Sequence, residues 1–119
     1  MDTFHIAWYA TGFRGERTAA ALRDVTATSM RYGATEWSLH RSLDDRYKFL
    51  QIVHFADKLD FERWWAGREM IDFRVIASSW YQVPLLYVPH ELVGEGHVDI
   101  EAAGAGNGAA ATAGPAPAA

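Results

Sequence analysis

The sequence predicts one small α+β domain, residues 1–93, followed by a tail, residues 94–119. Two observations carry this prediction. Apolar residues alternate in four short segments and recur at helical spacing in two longer ones. Every Trp, Tyr and Phe lies before residue 94, whereas the tail consists largely of Gly, Ala and Pro. Such a tail cannot bury enough apolar surface to offset its ordering entropy, so we expect it to be disordered.

Composition excludes several classes of function. The net charge is −4 and the basic residues are scattered, whereas nucleic-acid binding needs clustered cations. Cysteine is absent, which excludes disulfides, thiol nucleophiles and Cys-ligated zinc. No apolar run approaches the ~18 residues of a membrane span, and the N-terminus has no signal-peptide pattern. We therefore expect a cytoplasmic protein with neither a nucleic-acid nor a membrane partner.

The first half of the domain reads as a strand, a helix and a hairpin. Residues 4–11 are short, apolar and aromatic, which is typical of a buried strand. Residues 16–31 have the spacing of an amphipathic helix, which Gly33 ends. Residues 35–55 contain two alternating segments around the polar pair Asp44-Asp45, which predicts a β-hairpin.

The second half reads as a helix followed by a last strand. Asp57 is suited to capping the helix, with Asp60 three residues later as in a capping box. Gly67 is a point where the helix breaks or bends. Residues 85–93 form the last strand, in which Pro89 predicts a sheet edge or a bulge, because proline has no N–H to donate.

The order β-α-β-β-α-β predicts a ferredoxin-like fold: a four-stranded antiparallel sheet with both helices on one face. The other face must then meet water or another subunit. A turn at Asp44-Asp45 pairs Arg41 with Lys48 and fixes which side chains share a face. The helix-covered face would hold Trp37, Leu39, Leu50 and Ile52, with Arg41 and Lys48 near the turn and His54 at the far end. The uncovered face would hold Glu36, Ser38, His40, Tyr47, Phe49, Gln51 and Val53.

The outer segments are assigned in the same way. The first strand turns Phe4, Ile6 and Trp8 toward the helices. The last strand turns Leu86 and Val88 toward them. The uncovered face then gains His5, Ala7, Tyr9 and Tyr87. This face is too aromatic for plain solvent, so we expect a two-fold symmetric copy to cover it and form a homodimeric barrel.

The strand HIAWYA, the helix FADKLDFERWW and the order of elements resemble the dimeric α/β-barrel superfamily, nearest to antibiotic-biosynthesis-monooxygenase (ABM)-like proteins. The resemblance covers roughly residues 4–93. It implies a homodimer whose sheets enclose a pocket for a flat, mostly apolar ligand. Some members of the family oxidise quinol-like, polyketide-derived compounds without a cofactor, others degrade haem, and many have no known activity.

The resemblance does not extend to the haem site or to an oxygenase residue set. The haem-degrading branch uses an Asn in the first strand and a His on the second helix, but residues 4–11 hold no Asn and residues 57–77 hold no His. The Asn, Trp and Tyr set of cofactorless oxygenases has no position-by-position match. The spacing of His5, His40 and His90 does not indicate a metal site. We expect neither a cofactor nor a metal.

The candidate site is the polar part of the uncovered face. His40 would act as a general base, because an imidazole pKa near about 6.5 suits proton removal from an activated phenol. Tyr9 is the second candidate catalytic residue and would orient the substrate. The candidate ligand-binding residues are His5, Ser38, Phe49, Gln51 and Tyr87.

Two functions are compatible with these residues. The first is an ABM-like, cofactor-independent monooxygenase or oxidoreductase acting on an aromatic or polyketide-like compound in the inter-sheet cavity. The second is a non-catalytic dimeric barrel that binds a small hydrophobic ligand or serves as an assembly module. Fold alone does not choose between them.

Overall fold

A computed structural model of the chain describes residues 1–99. Four strands, β1 (Asp2–Tyr9), β2 (Ala34–Arg41), β3 (Lys48–Phe55) and β4 (Tyr87–Glu91), form one antiparallel sheet in the order β2-β3-β1-β4. Three α-helices, α1 (Gly15–Ala27), α2 (Lys58–Trp65) and α3 (Arg68–Ile76), complete the fold, and a 3₁₀ turn, Thr28–Tyr32, extends α1. The predicted α+β, ferredoxin-like arrangement is confirmed.

The helix ends lie where local chemistry requires them. Gly33 has a φ of 104°, a left-handed conformation that closes the 3₁₀ turn and favours glycine. Asp57 caps α2 by accepting a 3.0 Å hydrogen bond from the amide of Asp60. At Gly67 a Cβ would lie 2.7 Å from the Tyr32 hydroxyl oxygen, so this position has no room for a side chain. The predicted second helix is therefore two helices, α2 and α3, divided at Gly67.

The helices cover one face of the sheet. Phe4, Ile6 and Trp8 on β1 are buried beneath them, as predicted. Phe61 of α2 stacks on Phe4 with ring centroids 4.0 Å apart. Trp64 of α2 is also fully buried. Aromatic burial on this scale is the main source of stability in so small a domain.

The last described part of the chain contains the edge strand and the residues that follow it. β4 is an edge strand, so Pro89 lies at a sheet edge as predicted. Residues 92–99 follow it without helix or strand. The rest of the predicted tail, residues 100–119, lies outside the described residues. Within residues 1–99, none of the helices has the length and apolarity needed to cross a bilayer.

The predicted hairpin register is wrong by one residue. Arg41 pairs with Phe49, not with Lys48, because the turn spans residues 42–47. The Ser42 hydroxyl accepts from the amides of Asp44 and Asp45 and stabilises this longer loop. A slip of one residue turns every side chain of a strand to the opposite face. Phe49, Gln51 and Val53 therefore face the helices, while Lys48, Leu50, Ile52 and His54 lie on the uncovered face.

The predicted facing of the last strand is wrong for the same kind of reason. Tyr87 pairs with Ile6, a core residue, and so points toward the helices. Its ring lies 4.7 Å from that of Phe61 in an edge-to-face contact. Leu86 and Val88 are exposed. Pairing with β1 sets the facing of β4, and no local pattern in the sequence specifies that pairing.

Candidate functional site

The face of the sheet that the helices do not cover, hereafter the uncovered face, is the candidate site. All four strands contribute to it. Its centre is aliphatic and its edges carry imidazole, phenol and ammonium groups. Its members, from the strand pairings, are Thr3, His5, Ala7, Tyr9, Glu36, Ser38, His40, Lys48, Leu50, Ile52, His54, Val88 and His90, with Leu86 just before β4.

Three adjoining shallow hollows occupy this face. One of about 350 Å³ is bordered by His40 and Lys48, and one of about 440 Å³ by His5 and His90. A third, of about 290 Å³, is bordered by Tyr9. Ala7 borders all three, so the smallest side chain on the face lies where the hollows meet. Together they offer a continuous apolar floor to a flat ligand.

His40 and Lys48 share one hollow. The Nε2 atom of His40 lies 3.0 Å from the hydroxyl oxygen of Ser38 two residues earlier on β2. This contact orients the ring and leaves it exposed at the edge of the floor. Lys48 brings an ammonium group to the same hollow. An imidazole beside an ammonium can remove a phenolic proton and hold the resulting anion.

Tyr9 is already engaged. Its hydroxyl donates a 2.5 Å hydrogen bond to Oδ2 of Asp45 in the hairpin loop. This bond raises the pKa of Tyr9 and lowers the pKa of the Asp45 carboxyl. The phenol thus stays protonated and anchors the loop. It is suited to shaping the hollow and not to accepting a proton.

Three histidines gather at the opposite end of the face. The rings of His5 and His90 stack with centroids 4.0 Å apart. Desolvation lowers the pKa of His5, and the neighbouring His90 and His54 lower it further. His54 Nε2 lies 3.7 Å from a carboxylate oxygen of Glu36. This end of the face favours a neutral imidazole at His5.

The structure brings some predicted site residues together and separates others. His5, Tyr9, Ser38 and His40 lie on the uncovered face, as expected. Phe49, Gln51 and Tyr87 belong to the helix-covered face, for the register reasons given above. The ring edge of Phe49 still borders two of the hollows.

Gln51 has a structural role. Its side-chain oxygen accepts a 3.0 Å hydrogen bond from the indole nitrogen of Trp8. Its amide nitrogen donates to the hydroxyl of Thr26 at 2.6 Å. All three groups are fully buried. Gln51 satisfies polar groups in the core and does not meet a ligand on the uncovered face.

Sequence reasoning missed several members of the face: Thr3, Lys48, Leu50, Ile52, His54, Val88 and His90, with Leu86 just before β4. One signal was available. A buried tryptophan needs an acceptor for its N–H. Trp8 was assigned to the covered face, so its acceptor had to lie there too, and Gln51 is a suitable one. That single requirement fixes the facing of β3.

The groups that could hold a metal ion do not converge. Within residues 1–99, no cluster of three or more His, Asp or Glu side chains has the geometry of a metal site.

No family model matches the chain, and no curated protein matches it. Solved structures do. A candidate antibiotic biosynthesis monooxygenase from Nitrosomonas europaea superposes with a TM-score of 0.70 at 17% identity, over 76% of this chain and 97% of that one. PA3566 from Pseudomonas aeruginosa superposes with a TM-score of 0.68 at 20% identity, over 77% of this chain and 94% of that one.

SnoaB, a cofactor-independent oxygenase from Streptomyces nogalater, gives a TM-score of 0.65 at 15% identity, over 76% of this chain and 90% of that one. The chain has the ABM-like, ferredoxin-like fold. At these identities the likeness is one of fold, and the residues of the uncovered face must carry any argument about chemistry.

Proposed function

We propose that the chain is an ABM-like, cofactor-independent oxidoreductase that acts on an aromatic or polyketide-like compound held between the sheets of a homodimer. The observation that carries this proposal is that His40 and Lys48 border the same hollow, whose lining also includes Ala7 and Leu50. A flat multi-ring phenol would lie on Ala7, Leu50 and Ile52 with its hydroxyl toward His40. SnoaB, which shares the fold, is a cofactor-independent oxygenase.

The residues suit oxidation of an activated carbon next to a phenol. His40 removes the proton of the phenolic hydroxyl, and the ammonium group of Lys48 stabilises the electron-rich anion that results. Dioxygen then reacts with this anion. The methylene carbon becomes a carbonyl, one oxygen atom enters it, and the other leaves as water with both methylene hydrogens. The substrate supplies all four electrons, so no bound redox group is needed.

A second copy of the chain completes the pocket in this proposal. The hollows are shallow in one chain, and an anion held at an open surface would be quenched by water. Covering the uncovered face with a copy of itself gives a closed, dry cavity between two sheets. The exposed Val88 and Leu86 supply apolar contact area for that association.

Oxygen uptake with 1,8-dihydroxyanthrone, a tricyclic phenol with a reactive methylene, tests the enzyme. We expect His40→Ala to lower the rate by about 10²–10⁴-fold, the range for loss of a general base. His97→Ala, which removes an exposed histidine beyond β4, is the matched control and should leave the rate unchanged. An unchanged rate in His40→Ala would refute the assignment of the base.

A non-catalytic barrel that binds a hydrophobic ligand is the second candidate. It is favoured by the partners that the polar groups already have, since Tyr9 is bound to Asp45 and His40 to Ser38. Native mass spectrometry distinguishes the two. A dimer that carries a co-purified apolar compound, but takes up no oxygen with 1,8-dihydroxyanthrone or related phenols, would support the binding module.

A further inference from the structure

The expectation of no membrane partner rested on the lack of a spanning segment, which does not bear on contact with the membrane surface. We propose that one end of the domain is a membrane-contact surface that docks on anionic lipid headgroups. Three loops meet at this end: residues 10–14 after β1, the hairpin loop 42–47, and residues 77–86 before β4. We call them together the loop end. Each loop holds at least one exposed large apolar side chain: Phe13 at 102% exposure in the first, Leu43 at 89% in the second, and Val83 at 75% and Leu86 at 70% in the third.

The three loops form one platform. The backbone amide of Ala10 donates to the carbonyl of Tyr47 at 2.8 Å, and that of Thr11 donates to the carbonyl of Trp80 at 2.8 Å. The amide of Gln82 donates to the carbonyl of Tyr9 at 2.9 Å. Backbone hydrogen bonds thus join the hairpin loop and the loop before β4 to the end of β1. The apolar side chains therefore extend from a fixed base.

The start of α1, which directly follows the first loop, is also fixed to the hairpin through side chains. Arg41 donates from Nε to the carbonyl of Arg46 at 2.6 Å and from Nη1 to the Glu16 carboxylate at 2.7 Å. A Cβ at Gly15 would lie 2.7 Å from Nη2 of Arg41, which shows how closely α1 begins against the hairpin.

Phe13 is held outward at a conformational cost. Its φ is 65°, in the left-handed region that bulky residues rarely adopt. Its amide nitrogen lies 3.4 Å from the Tyr47 hydroxyl, which can accept its hydrogen. A single exposed aromatic residue is ordinary. A fully exposed one that is kept in a strained conformation by surrounding contacts indicates a selected position.

Charge at the loop end selects the partner. The net charge of the whole chain is −4, yet the three loops, taken with the residues that flank two of them (14–17 and 41–48), carry five basic and three acidic side chains. Arg41 offsets Glu16, and Tyr9 binds Asp45. The basic side chains are Arg14, Arg17, Arg41, Arg46 and Lys48, against Glu16, Asp44 and Asp45. A positive rim around protruding apolar residues complements anionic headgroups above an acyl layer.

A bilayer fits this shape better than a protein does. The apolar side chains come from three separate loops. A protein partner would need a matching cavity for each, whereas fluid lipid accommodates isolated protrusions. The hollow bordered by Tyr9 also reaches Val83 and Pro84 at this end. If the proposed function holds, docking would bring lipid-dissolved aromatic compounds to the entrance of the pocket.

Vesicle co-sedimentation of the full chain tests the proposal directly. We expect wild-type protein to sediment with 3:1 phosphatidylcholine–phosphatidylglycerol vesicles, to stay in solution with phosphatidylcholine alone, and to lose binding as salt rises. Phe13→Ser/Leu43→Ser should weaken partitioning by at least about tenfold, since both apolar anchors are removed. Val75→Ser/Ile76→Ser, which alters two apolar residues of α3 that are each 69% exposed, should bind as wild type does.

The absence of cysteine provides a second readout. Phe13→Cys, labelled with a polarity-sensitive dye, should shift to the blue with the anionic vesicles, while labelled Val75→Cys should not. Wild-type protein that stays in the supernatant with both vesicle types would overturn the proposal, and a surface built for a protein partner would behave in this way. Equal losses in the two double variants would also overturn it. Neither readout depends on oxygen uptake, so this proposal and the proposed function fail separately.

Discussion

The helix-covered and uncovered faces of the same sheet are built from different side chains. Beneath the helices, Phe4, Trp8 and Phe61 pack ring against ring, and the buried polar group of Gln51 has partners within the core. On the uncovered face, small aliphatic residues alternate with histidines. The first face can account for the stability of one chain. The second holds the apolar area and the reactive groups that a lone chain leaves unused, which points to association and ligand binding there.

The largest expected effect is on the covered face. Phe61→Ala removes the ring that stacks on Phe4 and should lower the free energy of unfolding by about 3–5 kcal/mol, through lost burial and a residual cavity. Chemical denaturation measures this change. Leu59→Ala on the exposed side of the same helix should cost less than about 0.5 kcal/mol. Equal costs would mean that α2 does not pack as described.

A charge on the uncovered face should act on association and not on folding. Ile52→Asp places a carboxylate in the proposed interface and should raise the dimer dissociation constant at least about a hundredfold, or roughly 2.7 kcal/mol. Sedimentation velocity measures this change. Val75→Asp on α3 is the control and should leave the dissociation constant near that of the wild type. If Ile52→Asp leaves the unfolding midpoint of the monomer unchanged, the uncovered face contributes to association and not to folding.

The hydrogen bonds that join Trp8, Gln51 and Thr26 in the core can be tested on their own. Gln51→Leu leaves the indole N–H of Trp8 without its acceptor and should cost about 1–3 kcal/mol in chemical denaturation. Adding Trp8→Phe removes the stranded donor, so the double change should cost less than the sum of the two single ones. Strict additivity would show that the two side chains do not depend on each other.

The smallest effect is the pH dependence from the histidine end. The pKa of His5 in the folded chain lies below its ordinary value of 6.5. Between the folded pKa and 6.5 the unfolded chain binds more protons, so stability rises with pH through that window and falls as the pH drops below 6.5. Thermal unfolding at pH 7.5 and 5.5 measures this. His5→Gln should flatten the slope, while His97→Gln should retain it.

The sequence predicted the elements better than their facing. Gly33, Asp57 and Gly67 act through local backbone chemistry, so their effects could be inferred from neighbouring residues alone. The alternation of side chains along β1 likewise identified Phe4, Ile6 and Trp8 as core residues from the strand alone. The hairpin register depended on how Ser42 and Asp45 bind backbone amides within the loop. Their side chains favour a longer turn, and a one-residue difference reversed β3.

The candidate site inherited that error. His5, Tyr9, Ser38 and His40 were placed on the correct face because their strands were read independently of the turn. Gln51 and Phe49 were placed wrongly, and Lys48 was assigned to the opposite face, because all three depended on the register. Tyr87 depended on the pairing of β4 with β1, which no local pattern determines.

Thiol labelling in the cysteine-free chain tests most directly whether a second copy covers the sheet. Ala7→Cys places a thiol at the meeting point of the three hollows, and Ala20→Cys places one on the exposed side of α1. We predict that, at micromolar protein, Ala7→Cys reacts with a bulky maleimide far more slowly than Ala20→Cys, and that dilution removes the difference. Equal rates at every protein concentration would contradict the account.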